Sequence, residues 1–154
     1  MKLWGGRFEG PPSEVFERFS GSLAFDRRLI EADIEGTQAW ARVLERAGFL
    51  RAEERQAIES ALAQLREEAR DPAFFAGARD EDVHTLVIRK LRERAGAVAE
   101  KIHTGRSRNE QVSLDMRLWL RRQIDRTRSR IVELAAALLD LARAWPDAVI
   151  PGYT

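Results

Sequence analysis

The last long helical run limits this chain's fold more than any other feature. Ser107-Arg108-Asn109-Glu110 reads as a capping box, in which serine accepts from a backbone N–H of the first turn and glutamate reaches back to the cap. Helical composition continues from there to Trp145, where Pro146 stops it. At 1.5 Å per residue the run predicts a rod of roughly 55 Å. Val112, Met116, Trp119, Leu120, Ile131, Leu134, Leu138 and Leu141 recur along it. Such a rod is more than a compact 154-residue globule easily covers. It points to a bundle completed by other segments or other subunits.

Upstream, the same period predicts more helices and no convincing strand, so the fold class is all-α. Residues 1–25 are rich in glycine and proline and read as loop, with a short helix at Ser13 to Phe19. Asp26 is placed to cap a helix that runs to about Ala47, with Leu29, Ile30, Ala39, Trp40, Val43, Leu44 and Ala47 on its apolar side. A second helix covers Ala52 to Ala69 and is ended by Asp71-Pro72. A third covers Glu81 to Arg94, with Val83, Leu86, Val87 and Leu91 on one side. Pro151-Gly152-Tyr153-Thr154 comes with no terminal helix or polar tail, the look of a truncated chain.

Composition narrows the function classes. A hydrophobic content of 44% supports one domain with a core, or one piece of a larger domain. The net charge of +1 argues against a general polyanion binder. The basic run Arg117, Arg121, Arg122, Arg126, Arg128 and Arg130 is interleaved with Asp115, Asp125 and Glu133, which suits a solvated or intersubunit salt-bridged face better than a nucleic-acid surface. With no cysteine there is no disulfide or thiolate metal site, and a cytoplasmic location is permitted. The first ten residues lack the apolar core of a signal peptide, and no apolar run approaches the roughly 20 residues of a membrane span.

Three short stretches carry candidate chemistry. His103-Thr104-Gly105-Arg106-Ser107-Arg108-Asn109 places free N–H donors, two forked guanidinium groups and an amide at a helix start, a combination suited to a carboxylate or phosphate. It reads equally as an ordinary capped helix with exposed arginines. In Asp80-Glu81-Asp82-Val83-His84, acids beside a histidine suggest a metal or an oriented imidazole. Two histidines and no cysteine make a metal the weaker reading, and Asp80 and Glu81 fit the acidic first turn of a helix. Ser20-Gly21-Ser22 can bind a polar group but also reads as a plain loop.

Taken together, Leu3-Trp4-Gly5-Gly6-Arg7-Phe8, Glu81-Asp82-Val83-His84, the His103–Asn109 stretch and Pro151-Gly152-Tyr153-Thr154 resemble the argininosuccinate lyases of the fumarase/aspartase superfamily, in order and approximate spacing. The resemblance covers the whole chain, which corresponds to the N-terminal third of that family's length. It implies an N-terminal helical domain over 1–106 and, over 107–154, the truncated start of a central helical-bundle domain. It also implies reversible elimination of argininosuccinate to L-arginine and fumarate, in arginine biosynthesis in the cytoplasm. No metal or organic cofactor is implied, and no nucleic-acid or membrane partner. The active sites of the implied homotetramer are shared between subunits. By motif position Ser22, Asn109 and Thr154 would contact substrate, Arg108 and His84 would line the same site, and Asp82 would support it. No catalytic residue falls in this chain, because the family's proton-transfer histidine follows the PGYT motif and its base serine lies later. The 154 residues alone are therefore expected to be inactive. The alternatives are a non-catalytic, delta-crystallin-like structural protein and a lyase for a related succinyl-linked substrate.

Overall fold

The computed structural model describes residues 13–152, so the LWGGRF segment and Thr154 lie outside the described residues. Every regular element among them is helical. Ser13 caps α1 (Glu14–Ser20) by accepting from the Phe16 N–H at 3.3 Å. A single turn, α2 (Leu23–Asp26), runs through a 3-10 turn at Arg27–Leu29 into α3 (Ile30–Arg46). Then come α4 (Ala52–Glu68), α5 (Val83–Ala95), a 3-10 stretch at Gly96–His103 and α6 (Arg108–Ala144).

Two sequence expectations shift. Asp26 makes no side-chain hydrogen bond to the start of α3. Its carboxylate turns away, accepting from the Ser22 hydroxyl at 2.6 Å and from the Val83 N–H at 3.1 Å. Val83 opens α5, whose first N–H groups have no partner within the helix, so Asp26 caps a helix far along the chain. Helix α5 also starts later than Glu81. Asp82 is its N-cap, and Asp80 is no first-turn acid but a buried partner of Arg89, 3.0 Å from Nε and 2.8 Å from Nη2.

The chain divides into two compact units, one up to Arg117 and one from Leu118 on. In the first, α3, α4 and α5 pack on one another, and the 3-10 stretch Gly96–His103 packs on α5. Ile34, Ile58, Leu62, Leu65, Leu86, Leu91 and Ile102 are fully buried there. Each such side chain contributes about 1.5–3 kcal/mol by leaving water. The expected apolar side of α3 is only partly right. Ala39 and Val43 are exposed, while Asp33 and Thr37 are buried beside Ile30, Ile34, Ala41 and Leu44. In the second unit no described residue is buried: Leu120, Ile124, Ile131, Leu134, Leu138 and Leu141 are each at least half exposed. No helix of the described residues is long and apolar enough to cross a membrane.

Candidate functional site

The His103–Asn109 stretch becomes a turn followed by the start of α6. Gly105 sits at φ +64°, a left-handed backbone that side-chain-bearing residues rarely adopt. The cap forms as the residues suggest: Ser107 Oγ accepts from the Asn109 N–H at 3.3 Å, and Glu110 accepts from the Ser107 N–H at 3.1 Å. The two arginines then part company. Arg108 reaches across to Asp82 and stays 32% exposed, so part of its guanidinium remains open to a ligand. Arg106 turns inward, where Nη1 donates to Thr37 Oγ1 at 3.0 Å and Nη2 is buried without a partner among the described residues. Of the two forks suited to an external carboxylate, only Arg108 is available for one. Asn109 is exposed, and its side chain makes no hydrogen bond among the described residues.

Asp82 joins two elements. Its Oδ1 accepts from the backbone N–H and the hydroxyl of Thr85, both at 2.7 Å, which closes the start of α5. Its Oδ2 takes Arg108 from the start of α6. Ser22 is tied to the same place, its N–H donating to Glu81 O at 2.7 Å and its hydroxyl to Asp26. Burial and the like charge of Asp82 push the Asp26 carboxyl above its ordinary value, against the pull of the Ser22 hydroxyl. Ser22, Asp82 and Arg108 thus stand at three linked helix starts, Asn109 follows Arg108 in the first turn of α6, and Thr154 lies outside the described residues.

His84 is one residue into α5 and only 2% exposed, so its ring belongs to the interior. Its Nδ1 lies 2.8 Å from Asp33 Oδ1 on α3 and 3.4 Å from Asp115 Oδ2 on α6. Gln111, one turn before Asp115, also donates to Asp33 Oδ1. Gly36 permits this approach, because a Cβ there would stand 3.2 Å from the Leu114 side chain and 3.5 Å from Asp115 Oδ1. The two acids titrate in opposite directions. Burial works to raise Asp33, but the hydrogen bond and charge of His84, then the Gln111 hydrogen bond and the charge of Arg106, outweigh it and hold Asp33 below the usual carboxylate value. Burial and then the charge of Asp33 push Asp115 up to about 8. One oxygen of each acid and a ring nitrogen of His84 lie within 4.8 Å of one another, close enough for metal ligands. Arg106 also brings a positive charge to this cluster, which weakens its pull on an added cation.

Sequence reading missed this buried group. Asp115 was expected on a solvated or intersubunit salt-bridged face, and Asp33, Thr37 and Gln111 drew no notice. The available signal was position: Ile30, Asp33, Thr37, Ala41 and Leu44 share one helical stripe.

A family model described as lyase matches residues 6–154, nearly the whole chain. The chain belongs to the lyase family. Its all-α architecture agrees with the helical fumarase/aspartase fold of that family's N-terminal domain. Among curated relatives, the argininosuccinate lyase of Solibacter usitatus (strain Ellin6076) is 64% identical over 154 residues, all of this chain and 34% of the relative. The argininosuccinate lyase of Chlamydomonas reinhardtii is 46% identical over 153 residues, 99% of this chain and 32% of the relative. The lyase chain therefore spans about a third of the length of the curated relatives it matches.

Proposed function

We propose that this chain forms the N-terminal part of an argininosuccinate lyase, an amidine-lyase that reversibly eliminates L-arginine from argininosuccinate to leave fumarate. The observation that carries the reading is the pairing of Arg108 with Asp82 at the N-terminus of a long helix, whose first turn also carries Asn109 with its amide unpaired among the described residues. Elimination next to a carboxylate builds negative charge on that carboxylate as the proton leaves. Free N–H groups, a partial positive charge and one half-open guanidinium suit that charge. Asp82 holds Arg108 in place, so the fork is set before substrate arrives.

Ser22, Asn109, Arg108 and Thr154 bind the substrate, with His84 in the same site and Asp82 in support. No residue here serves as general base or acid; those groups belong to the rest of the full-length protein. The second unit's exposed apolar face supports a homotetramer with shared sites, and the absence of cysteine is compatible with a cytoplasmic location.

The test is fumarate release by the full-length protein supplied with argininosuccinate or with adenylosuccinate. Turnover of the first alone supports the reading. Turnover of the second alone indicates the related succinyl-linked substrate, and turnover of neither indicates a structural role. Asn109→Ala and Arg108→Lys should each lower kcat/KM by about 10²-fold, the scale for a lost donor to a developing anion. The 154-residue chain alone should release no fumarate, and its solution mass compared with that of the full-length protein tests the tetramer.

A further inference from the structure

We propose that Asp33 is the positioning residue for His84: its carboxylate holds the ring through Nδ1, which leaves Nε2 as the free acceptor nitrogen. The role of His84 in the substrate site rests on the lyase reading above, but the ring's state does not. An ionised carboxylate only accepts, so a ring nitrogen 2.8 Å from Asp33 Oδ1 carries the proton. A neutral imidazole then has its lone pair on the other nitrogen.

The surroundings make Asp33, not Asp115, the holder. Asp33 Oδ1 takes two donors, His84 Nδ1 and Gln111 Nε2. Asp115 stands farther from the ring, at 3.4 Å. Both acids are fully buried, and the like charge of Asp33 helps to push Asp115 up. Arg106 adds a positive charge on the side of Asp33, and Asp115, pushed up to about 8, leaves Asp33 as the ionised acid. His84 follows Asp82 by two residues, so the same first turn of α5 carries the holder of Arg108 and the ring held by Asp33. A ring fixed in orientation and tautomer by a buried carboxylate is how a histidine is commonly prepared to act through its second nitrogen.

The experiment makes the same chemical change at both acids in the full-length protein. Asp33→Asn keeps the shape but removes the charge, and it should lower kcat about 10- to 100-fold, the usual scale for losing a carboxylate behind a histidine. Its KM should stay within about twofold; its melting temperature should fall, because Arg106 loses the charge it is buried with, so kcat is read at a temperature where the variant is folded. Asp115→Asn mimics a carboxyl that is already protonated and should keep kcat within about twofold. A merely structural role would not separate the two variants, so equal loss in both, or parental kcat in Asp33→Asn, overturns the proposal. A second measurement needs no activity and neither of the Asp variants. Solid-state 15N spectra of the histidine-labelled parent at neutral pH, with the His84→Gln spectrum subtracted, should show Nδ1 protonated and Nε2 bare. A protonated Nε2 overturns the proposal. If the parent eliminates none of the substrates, the lyase reading fails while these spectra still decide the role of Asp33.

Discussion

Leu62 and Leu138 are the same residue, each in an amphipathic helix, and they end in opposite environments. Leu62 in α4 is fully buried, whereas Leu138 in α6 is 59% exposed. Neither helix differs much in its pattern of apolar positions. Around Leu62, α3 and α5 supply the opposing surface. Among the described residues nothing buries the apolar side of α6 beyond Arg117. An apolar stripe thus states a demand for burial, and only the neighbouring elements meet it.

Four substitutions test that contrast, from the largest effect to the smallest. Leu62→Ala should destabilise the chain by about 2–5 kcal/mol in urea unfolding, as expected for a large-to-small change in a packed core. Asp115→Asn probes the polar part of the same core. Asp115 titrates near 8 in the folded chain, above its ordinary value, so the folded state holds more protons than the unfolded one between those two values. Its stabilising contribution is therefore complete at acid pH and is lost as pH rises toward 8. The loss is at most about 1.4 kcal/mol per pH unit for one proton. Unfolding measured from pH 5 to 8 should fall more steeply for the parent than for Asp115→Asn, and identical slopes would contradict a raised Asp115. Asp33, held low, stays ionised across that window and adds no slope of its own. Asp82→Ala removes the cap of α5 and the partner of Arg108, with an expected cost of about 1–2 kcal/mol in the same assay. Leu138→Ala should change the stability of the 154-residue chain by less than about 0.5 kcal/mol. A loss comparable to that at Leu62 would break the comparison.

Much of the helical layout was readable in advance because its signals are local. Helix α4 matches Ala52 to Ala69 to within one residue, and α6 matches Ser107 to Trp145 with its cap as expected. Ser22, Asp82 and Arg108 were named from motifs, and hydrogen bonds link the three helix starts that carry them. The failures share a cause. Asp26 looked like the cap of its own helix and instead serves α5. Arg106 looked like a donor for an outside anion and instead lies among Thr37, Asp33 and Asp115. A charged side chain in a sequence window counts as surface because burying it alone is costly. That cost falls only when a partner from another element arrives.

What the sequence determined by itself was therefore where the helices run and which residues start them, since caps, turns and the 3.6-residue period act between near neighbours. It also determined the motif set that marks the chain as a lyase-family member. The tertiary structure decided which polar residues go inside. Asp33, His84 and Asp115 lie on α3, α5 and α6, 51 and 31 residues apart in the chain, and each is tolerable in the core only because the others and Arg106 are there. It also decided that one carboxyl of the pair keeps its proton. That follows from distance and burial, which no single stretch of sequence contains.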